Sequence, residues 1–129
     1  MRVERELPVA PEAASVARHA LDGLSDAVPD GRMRDVRLLV SELVTNAVRH
    51  ANLAAGDVIN LIIDVADTVL RVEVHDPGGG FVPSAPSPDP ARPSGWGLYL
   101  VAELADRWGV DSDAETLVWF ELDRGAAAA

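Results

Sequence analysis

The chain has 129 residues, of which 48% are hydrophobic and 25% charged, and this is the composition of a globular protein with room for one core. Twenty-one acidic residues against eleven basic ones leave a net charge of −10, which argues against direct binding to nucleic acid. Cysteine, a secretory signal and an apolar run long enough to cross a bilayer are all absent from the sequence, so we expect a cytoplasmic protein without membrane attachment.

The first part of the chain predicts one strand followed by two helices. Residues 3–9 have the pattern of a short strand, and Pro11 opens an alanine-rich helix that we expect to continue to about Ala27. Asp30 is the expected cap of a second helix, which ends near Asn52. Apolar residues recur along this helix at three- and four-residue spacing: Met33, Val36, Val40, Leu43, Val44 and Ala47. Such a stripe must pack on another element.

Two runs of alternating apolar residues predict a β-hairpin in the middle of the chain. The runs cover residues 59–65 and 70–74, and Ala66 with Asp67 forms the tight connection between them. Residues 77–94 then contain six of the nine prolines and three consecutive glycines, which neither a helix nor a strand can accommodate. We expect a long loop here that serves as a lid, a binding loop or a locally disordered segment.

The last third of the chain predicts a helix and a second hairpin. The helical pattern covers residues 97–107, and the strands are expected at 108–110 and 116–122. The resulting order of elements predicts an α/β protein of the two-layer α+β sandwich type, with helices on one face of a mixed, mainly antiparallel sheet. We expect a single domain over residues 1–124 and a frayed tail at 125–129.

Polar residues on one side of the second helix form a first candidate site. Glu42 and Asn46 are one turn apart, and Arg49 follows three residues later on the same side. A solvated helix face is the common explanation for such a group. However, asparagine is unfavourable inside a helix, and Leu38 and Leu39 beside the group indicate partial burial. A carboxylate and a carboxamide one turn apart offer the oxygen ligands that Mg²⁺ prefers.

Asp76 is the second candidate. It continues the alternating apolar face of residues 70–74, so its carboxylate is expected to point toward the covered side of the sheet. A turn-forming aspartate before Pro-Gly is an equally common explanation. An ionised group that points inward needs hydrogen-bond donors, and the exocyclic amine of a purine would supply one. Gly78 and Gly80 would let the backbone approach a flat ring closely or adopt positive φ.

A second pair of glycines lies where the loop gives way to the last helix. The backbone amides of Gly95 and Gly97, together with the positive end of the helix dipole, would suit phosphate oxygens. Simple turn formation explains such a pair equally often, and the lysine of a Walker loop is missing. Arg92 just before these glycines is the best candidate for a contact with a γ-phosphate, and a solvated loop arginine is the alternative.

Three motifs follow one another in this sequence: Glu42-x-x-x-Asn46-Ala47-x-x-His50, Asp76-x-Gly78-x-Gly80 and Gly95-x-Gly97-Leu98. In this order they resemble the ATPase superfamily of DNA gyrase, histidine kinases and MutL, which has the Bergerat nucleotide-binding fold. The resemblance extends from the second helix to the last strand. Within the superfamily the chain is most similar to the bacterial anti-sigma factor serine/threonine kinases.

The resemblance implies a role for each matched residue. Glu42 would be the catalytic base that activates the acceptor hydroxyl, Asn46 would hold Mg²⁺, and Asp76 would read the adenine amine. The residues implied to line the adenine and phosphate sites of ATP are Gly78, Gly80, Gly95, Gly97 and Leu98. The implied substrate is a serine or threonine of an anti-anti-sigma protein of the STAS type, and the same surface would alternately hold a sigma factor. Relatives are often homodimers, which leaves a dimer open here.

One departure from the family pattern favours a different function. Trp96 stands where many relatives have an arginine between the glycines of the last motif. The alternative is therefore a non-catalytic module that responds to ATP or ADP and sequesters a sigma factor or another regulatory partner. A detached histidine-kinase module is a third interpretation, but it requires a phosphoacceptor histidine on a separate helical hairpin, which we do not expect before this domain.

Overall fold

The structure, a computed structural model, describes residues 1–24, 28, 31–50, 58–76, 96–111 and 116–124, with the backbone alone at 49, 50 and 96–99. The elements in chain order are β1 (Arg2–Pro8), α1 (Ala13–Ala20), a 3₁₀ turn (Asp22–Leu24), α2 (Met33–His50), β2 (Val58–Val65), β3 (Val69–Asp76), α3 (Trp96–Leu104), β4 (Arg107–Asp111) and β5 (Thr116–Asp123). The predicted order of elements is confirmed. No helix in these ranges is long and apolar enough to cross a membrane.

The five strands form one sheet with the order β1-β2-β3-β5-β4. Chain neighbours pair as the two predicted hairpins, and β5 reaches β3 after the chain has passed through α3. The expectation of antiparallel pairing is confirmed, but the sheet is not mixed among the described strands, since each of their pairings is antiparallel. This arrangement places β3 at the centre of the sheet, between β2 and β5.

One face of the sheet and the helices share a single hydrophobic core. Along β3 every second residue is buried, and the register places Val72 opposite Ile63 on β2 and opposite Phe120 on β5. The helix α2 supplies the largest helical share of this core through Val36, Leu39, Val40, Leu43 and Val44. The two-layer architecture predicted from the order of elements is therefore confirmed, with α2 lying directly on β3.

Two helix boundaries differ from the sequence-based prediction. The helix α1 ends at Ala20 instead of about Ala27, because Asp22 and Gly23 are both poor helix formers and the chain tightens there into a 3₁₀ turn. The helix α3 ends at Leu104 instead of residue 107, because Arg107 joins β4 and pairs with Glu121 on β5. The predicted cap Asp30, the loop 77–94 and the tail 125–129 lie outside the described residues.

The outer face of the sheet, which points away from the helices, carries a row of ion pairs across β3, β5 and β4. Arg71 donates to Glu73 at 2.7 Å and to Glu121 at 3.0 Å. Arg107 donates to Glu121 at 2.8 Å and to Asp123 at 2.6 Å. The hydrogen bond from Arg107 lowers the pKa of Glu121 from its ordinary value of 4.5, against the opposing effect of burial. We call these five residues the ion ladder.

An aromatic ring is held between this ladder and the edge strand. The guanidinium of Arg71 lies 4.3 Å from the centroid of the Trp119 ring, which is a cation–π distance. On β4, Gly109 faces the same ring so closely that an added Cβ would lie 2.7 Å from the Trp119 Nε1 atom. A glycine is therefore required at this strand position by close approach.

Candidate functional site

Asp76 is the last residue of the central strand β3 and has only 4% of its surface exposed. It occupies the core side of the sheet, as strand parity predicts, among the buried residues Leu70, Val72 and Val74. Burial of an ionisable carboxyl group is costly unless donors compensate it. Asp76 is therefore a buried carboxyl group at the end of β3, and the residues that would show a turn after it lie outside the described part of the chain.

Thr116 lies directly opposite Asp76, because the β3–β5 register pairs the two residues. It is 3% exposed, and its Oγ1 atom is buried without a hydrogen-bond partner among the described residues. Buried hydroxyl groups are nearly always hydrogen-bonded, so an orphaned one needs an explanation such as a ligand or a bound water. Asp76 and Thr116 thus form a polar pair at one end of an otherwise apolar sheet face.

The sequence motifs did not single out Thr116. A signal was present, since Phe120 and Leu122 face inward and the same parity aims Thr116 inward as well. What the sequence does not contain is the register that places Thr116 beside Asp76. Pairing between strands that are separated by a helix is set by packing of the whole sheet.

Glu42 and Asn46 lie on the last half of α2 and are both half-buried. The partial burial inferred from their neighbours is confirmed at Leu39, which is fully buried, whereas Leu38 keeps 39% of its surface exposed. The helix packs against both β3 and α3. The helix that carries the first motif is therefore in contact with the two elements that carry the other motifs.

A hydrogen-bonded bridge joins α1 to α2 at the turn that precedes Glu42. Arg18 Nη1 donates to Ser41 Oγ at 3.1 Å, and Ser41 Oγ donates to the carbonyl of Arg37 at 2.7 Å. Arg37 Nη2 in turn donates to Asp22 at 2.9 Å, and this hydrogen bond lowers the pKa of the Asp22 carboxyl. The bridge ties α1 to the turn of α2 that immediately precedes Glu42.

The last motif begins the helix α3. Its first helical residue is Trp96, so Gly97 and Leu98 lie in the first turn, where backbone N–H groups have no partner within the helix. Such amides suit phosphate oxygens. The remaining predicted site residues, Gly78, Gly80, Arg92 and Gly95, lie outside the described residues, as do the side chains of Arg49 and Leu98.

The available side-chain ligands indicate what kind of metal ion the chain could hold. No group of three or more acidic or histidine side chains that could hold a metal ion occurs within the described ranges. A site with a single amide ligand such as Asn46 suits Mg²⁺, which keeps several waters and takes further oxygens from substrate phosphates. The residues that are present fit a metal ion that arrives with a nucleotide.

Comparison with known proteins identifies the family. The model of the histidine kinase-like ATPase domain matches residues 7–122. Serine-protein kinase RsbW of Bacillus licheniformis is 32% identical in an alignment that covers 90% of this chain and 81% of that protein. Serine-protein kinase RsbW of Staphylococcus epidermidis is 31% identical in an alignment that covers 81% of this chain and 75% of that protein.

Solved structures agree with the fold. A structure of the RsbU and RsbW domains of a Mycobacterium tuberculosis protein aligns with a TM-score of 0.72 at 21% identity, covering 98% of this chain and 33% of that chain. The histidine kinase AdeS of Acinetobacter baumannii aligns with a TM-score of 0.56 at 14% identity, covering 95% of this chain and 68% of that chain. The family model matched over residues 7–122 and the relatives of 31–32% identity show that the chain belongs to the histidine kinase-like ATPase domain family.

Proposed function

We propose that this chain is a cytoplasmic Mg·ATP-dependent serine/threonine protein kinase. Its substrate is an anti-anti-sigma protein of the STAS type, and it also acts as an anti-sigma factor by holding a sigma factor. The observation that carries the proposal is the buried pair of Asp76 and Thr116 in a member of an ATPase family. The similarity to serine-protein kinases named RsbW supports the choice of substrate class. The functional unit is a single domain over residues 1–124.

The adenine end of the nucleotide lies at the junction of β3 and β5. Asp76, which is buried at the end of β3, accepts a hydrogen bond from the exocyclic amine of the adenine. The orphaned Oγ1 of Thr116 gains a partner in a ring nitrogen or in a water that bridges to it. Gly78 and Gly80 line the same end, where their lack of a side chain lets the ring approach the backbone.

The phosphate end lies toward α2 and α3. Backbone amides of the first turn of α3 at Gly97 and Leu98, with Gly95 before them, receive phosphate oxygens. Arg92 contacts the γ-phosphate, where a guanidinium can make two parallel hydrogen bonds. Asn46 offers a carbonyl oxygen to Mg²⁺, and the metal ion when bound offsets the negative charge of the phosphates.

Glu42 acts as the general base. It accepts the proton of the substrate hydroxyl while the hydroxyl oxygen forms a bond to the γ-phosphorus and the bond from that phosphorus to the bridging oxygen of ADP breaks. The bridge through Ser41 orients the helix turn that carries this carboxylate. Half-burial of Glu42 removes part of the water that would compete for the same proton.

Trp96 favours a second candidate function. If the missing arginine between the glycines is essential for phosphoryl transfer, the chain is a nucleotide-responsive module that sequesters a sigma factor or another regulatory partner without catalysis. This module would bind ATP and ADP through the same Asp76 pair and differ only at the phosphate end.

The test incubates the purified chain with γ-labelled Mg·ATP and several STAS-domain proteins from the same cell. We expect label on one serine or threonine of a cognate partner, and loss of the label when that residue is changed to alanine. Nucleotide binding without any phosphoprotein across the set supports the sequestering module. Absence of ATP and ADP binding by calorimetry in the presence of Mg²⁺ overturns both functions.

A further inference from the structure

Arg32 connects the start of α2 to the far end of α3. It immediately precedes Met33, and its Nη2 atom donates to the carbonyl oxygen of Leu104 at 3.1 Å. Leu104 is the last residue of α3. The guanidinium also lies 3.8 Å from Asp106 Oδ2, and only 33% of the side chain is exposed. The contact joins two segments that are 72 residues apart in the chain.

The end of α3 lacks a cation of its own. Carbonyl groups in the last turn of a helix have no partner within the helix, and the helix dipole makes that end negative. The last turn of α3 contains no basic residue, and it carries the exposed acidic Glu103. Arg32 therefore supplies from another element both the hydrogen-bond donor and the positive charge that this helix end requires.

We call the contacts of Arg32 with Leu104 and Asp106 the anchor, and Asp106 extends this anchor to the sheet. Asp106 Oδ2 accepts a hydrogen bond from the backbone N–H of Asp123 at 2.7 Å, and the N–H of Asp106 donates to the carbonyl of Glu121 at 3.0 Å. Arg32 thus holds the end of α3 against a residue that β5 fixes in place. Its own Nε is buried without a hydrogen-bond partner among the described residues, a cost that the bond to Leu104 must offset.

We propose that Arg32 is a positioning residue for the phosphate end of the nucleotide site. The helix α3 has nine residues and begins with the turn that contains Gly97 and Leu98, so holding its last residue limits how far its first turn moves. This inference rests on the proposed function, because the phosphate contacts of α3 belong to that proposal. The adenine end lies where Asp76 meets Thr116, whereas Asp106 contacts β5 at its opposite end, at Asp123.

The binding test compares Arg32→Ala, Arg32→Lys and the control Arg34→Ala, which removes the same charge from an exposed position two residues later, in the first turn of α2. We expect Arg32→Ala to weaken Mg·ATP and Mg·ADP binding about three- to tenfold while adenosine binding changes less than about twofold. Arg32→Lys should recover part of the loss, and Arg34→Ala should show none. Equal weakening of adenosine and ATP overturns the inference, since general destabilisation of the fold acts on both ligands.

Hydrogen exchange without nucleotide tests the anchor separately from the proposed function. We expect amides in the last turn of α3 to exchange about three- to tenfold faster in Arg32→Ala, while amides of α1 keep the wild-type rates. Unchanged exchange in α3 overturns the inference even if ATP binds normally. If no nucleotide binds to the wild-type chain, the proposed function fails, and the positioning role fails with it even where exchange confirms the contact itself.

Discussion

At the scale of single residues, we expect the Thr116 hydroxyl to affect folding stability and ATP binding in different directions. We expect Thr116→Val to keep or raise the free energy of unfolding, because it removes a buried hydroxyl group whose oxygen has no partner among the described residues. The same change should weaken ATP binding about two- to tenfold through loss of a hydrogen bond. Urea unfolding and calorimetry measure the two effects. Lower stability with unchanged affinity would show that the hydroxyl has a purely structural partner.

Asp76→Asn tests the carboxylate in the same pair. The substitution preserves shape but removes the charge and one acceptor, so we expect ATP affinity to fall about 10- to 100-fold and selectivity for adenine over guanine to fall with it. Competition with both nucleotides measures the selectivity. The exposed turn aspartate gives the control Asp67→Asn, which should leave both quantities unchanged because it lies at the other end of the β2–β3 hairpin.

Glu42→Gln separates catalysis from binding. The amide cannot accept the hydroxyl proton, so we expect phosphorylation of the partner protein to slow by about 10²- to 10⁴-fold while ATP affinity changes less than about threefold. Single-turnover transfer of labelled phosphate measures the first quantity and calorimetry the second. Normal turnover in this variant would remove Glu42 from the mechanism and leave the other site assignments intact.

At the scale of elements, the contact between β4 and β5 limits what position 109 tolerates. Gly109→Ala places a Cβ about 2.7 Å from the Trp119 ring, which Arg71 holds from another strand. We expect a loss of about 1–3 kcal/mol in the free energy of unfolding, because the ring or the strand must shift. Gly23→Ala is the matched control, since nothing lies within 4 Å of its added Cβ. Similar stabilities of the two variants would contradict the packing argument.

The ion ladder predicts how stability depends on pH. The pKa of Glu121 is lowered in the folded state by the Arg107 hydrogen bond, and that of Glu73 is lowered because hydrogen bonds from Arg71 and His75 outweigh the effect of burial. A lowered carboxyl pKa stabilises the fold above the ordinary value of 4.5, and this contribution is lost as pH falls through the folded pKa. The fold should therefore weaken progressively in acid.

Glu121→Gln measures the share of one carboxylate in this effect. We expect the variant to be about 1 kcal/mol less stable than the wild type at neutral pH, since two charge-assisted hydrogen bonds are replaced by weaker ones. The difference should shrink at an acid pH below the lowered folded-state pKa of Glu121, where the wild-type carboxylate is protonated. Urea titrations at both pH values give the comparison. Parallel pH dependence in the two proteins would show that Glu121 does not titrate as inferred.

At the scale of the whole molecule, the proposed domain ends at residue 124. The N–H of Arg124 donates to the carbonyl of Thr68 at 2.8 Å, which ties the end of β5 to the β2–β3 connection. We expect removal of residues 125–129 to change the free energy of unfolding by less than about 0.5 kcal/mol. Removal from Arg124 onward should cost more, because that backbone bond is lost. Thermal and urea unfolding of the two truncated chains decide between one domain over 1–124 and a longer folded unit.

The sequence by itself determined the order of the elements, the apolar stripe of α2 and the inward direction of Asp76, because helix and strand periodicity are properties of neighbouring residues. The order of the three motifs was likewise enough to identify the ATPase family, which the match over residues 7–122 confirms. The early end of α1 is also determined locally, because Asp22 and Gly23 are poor helix formers at neighbouring positions in the sequence.

Only the tertiary structure decided that Thr116 stands opposite Asp76, that Arg32 reaches the end of α3, and that the ion ladder crosses three strands. Each of these contacts joins residues far apart in the chain, and many registers and helix positions are compatible with the same local pattern. The choice among them is made by close packing of one shared core, in which α2 lies on β3 and β5 is placed beside it. Local periodicity directs a side chain inward, whereas the packing of the whole chain determines which partner it meets there.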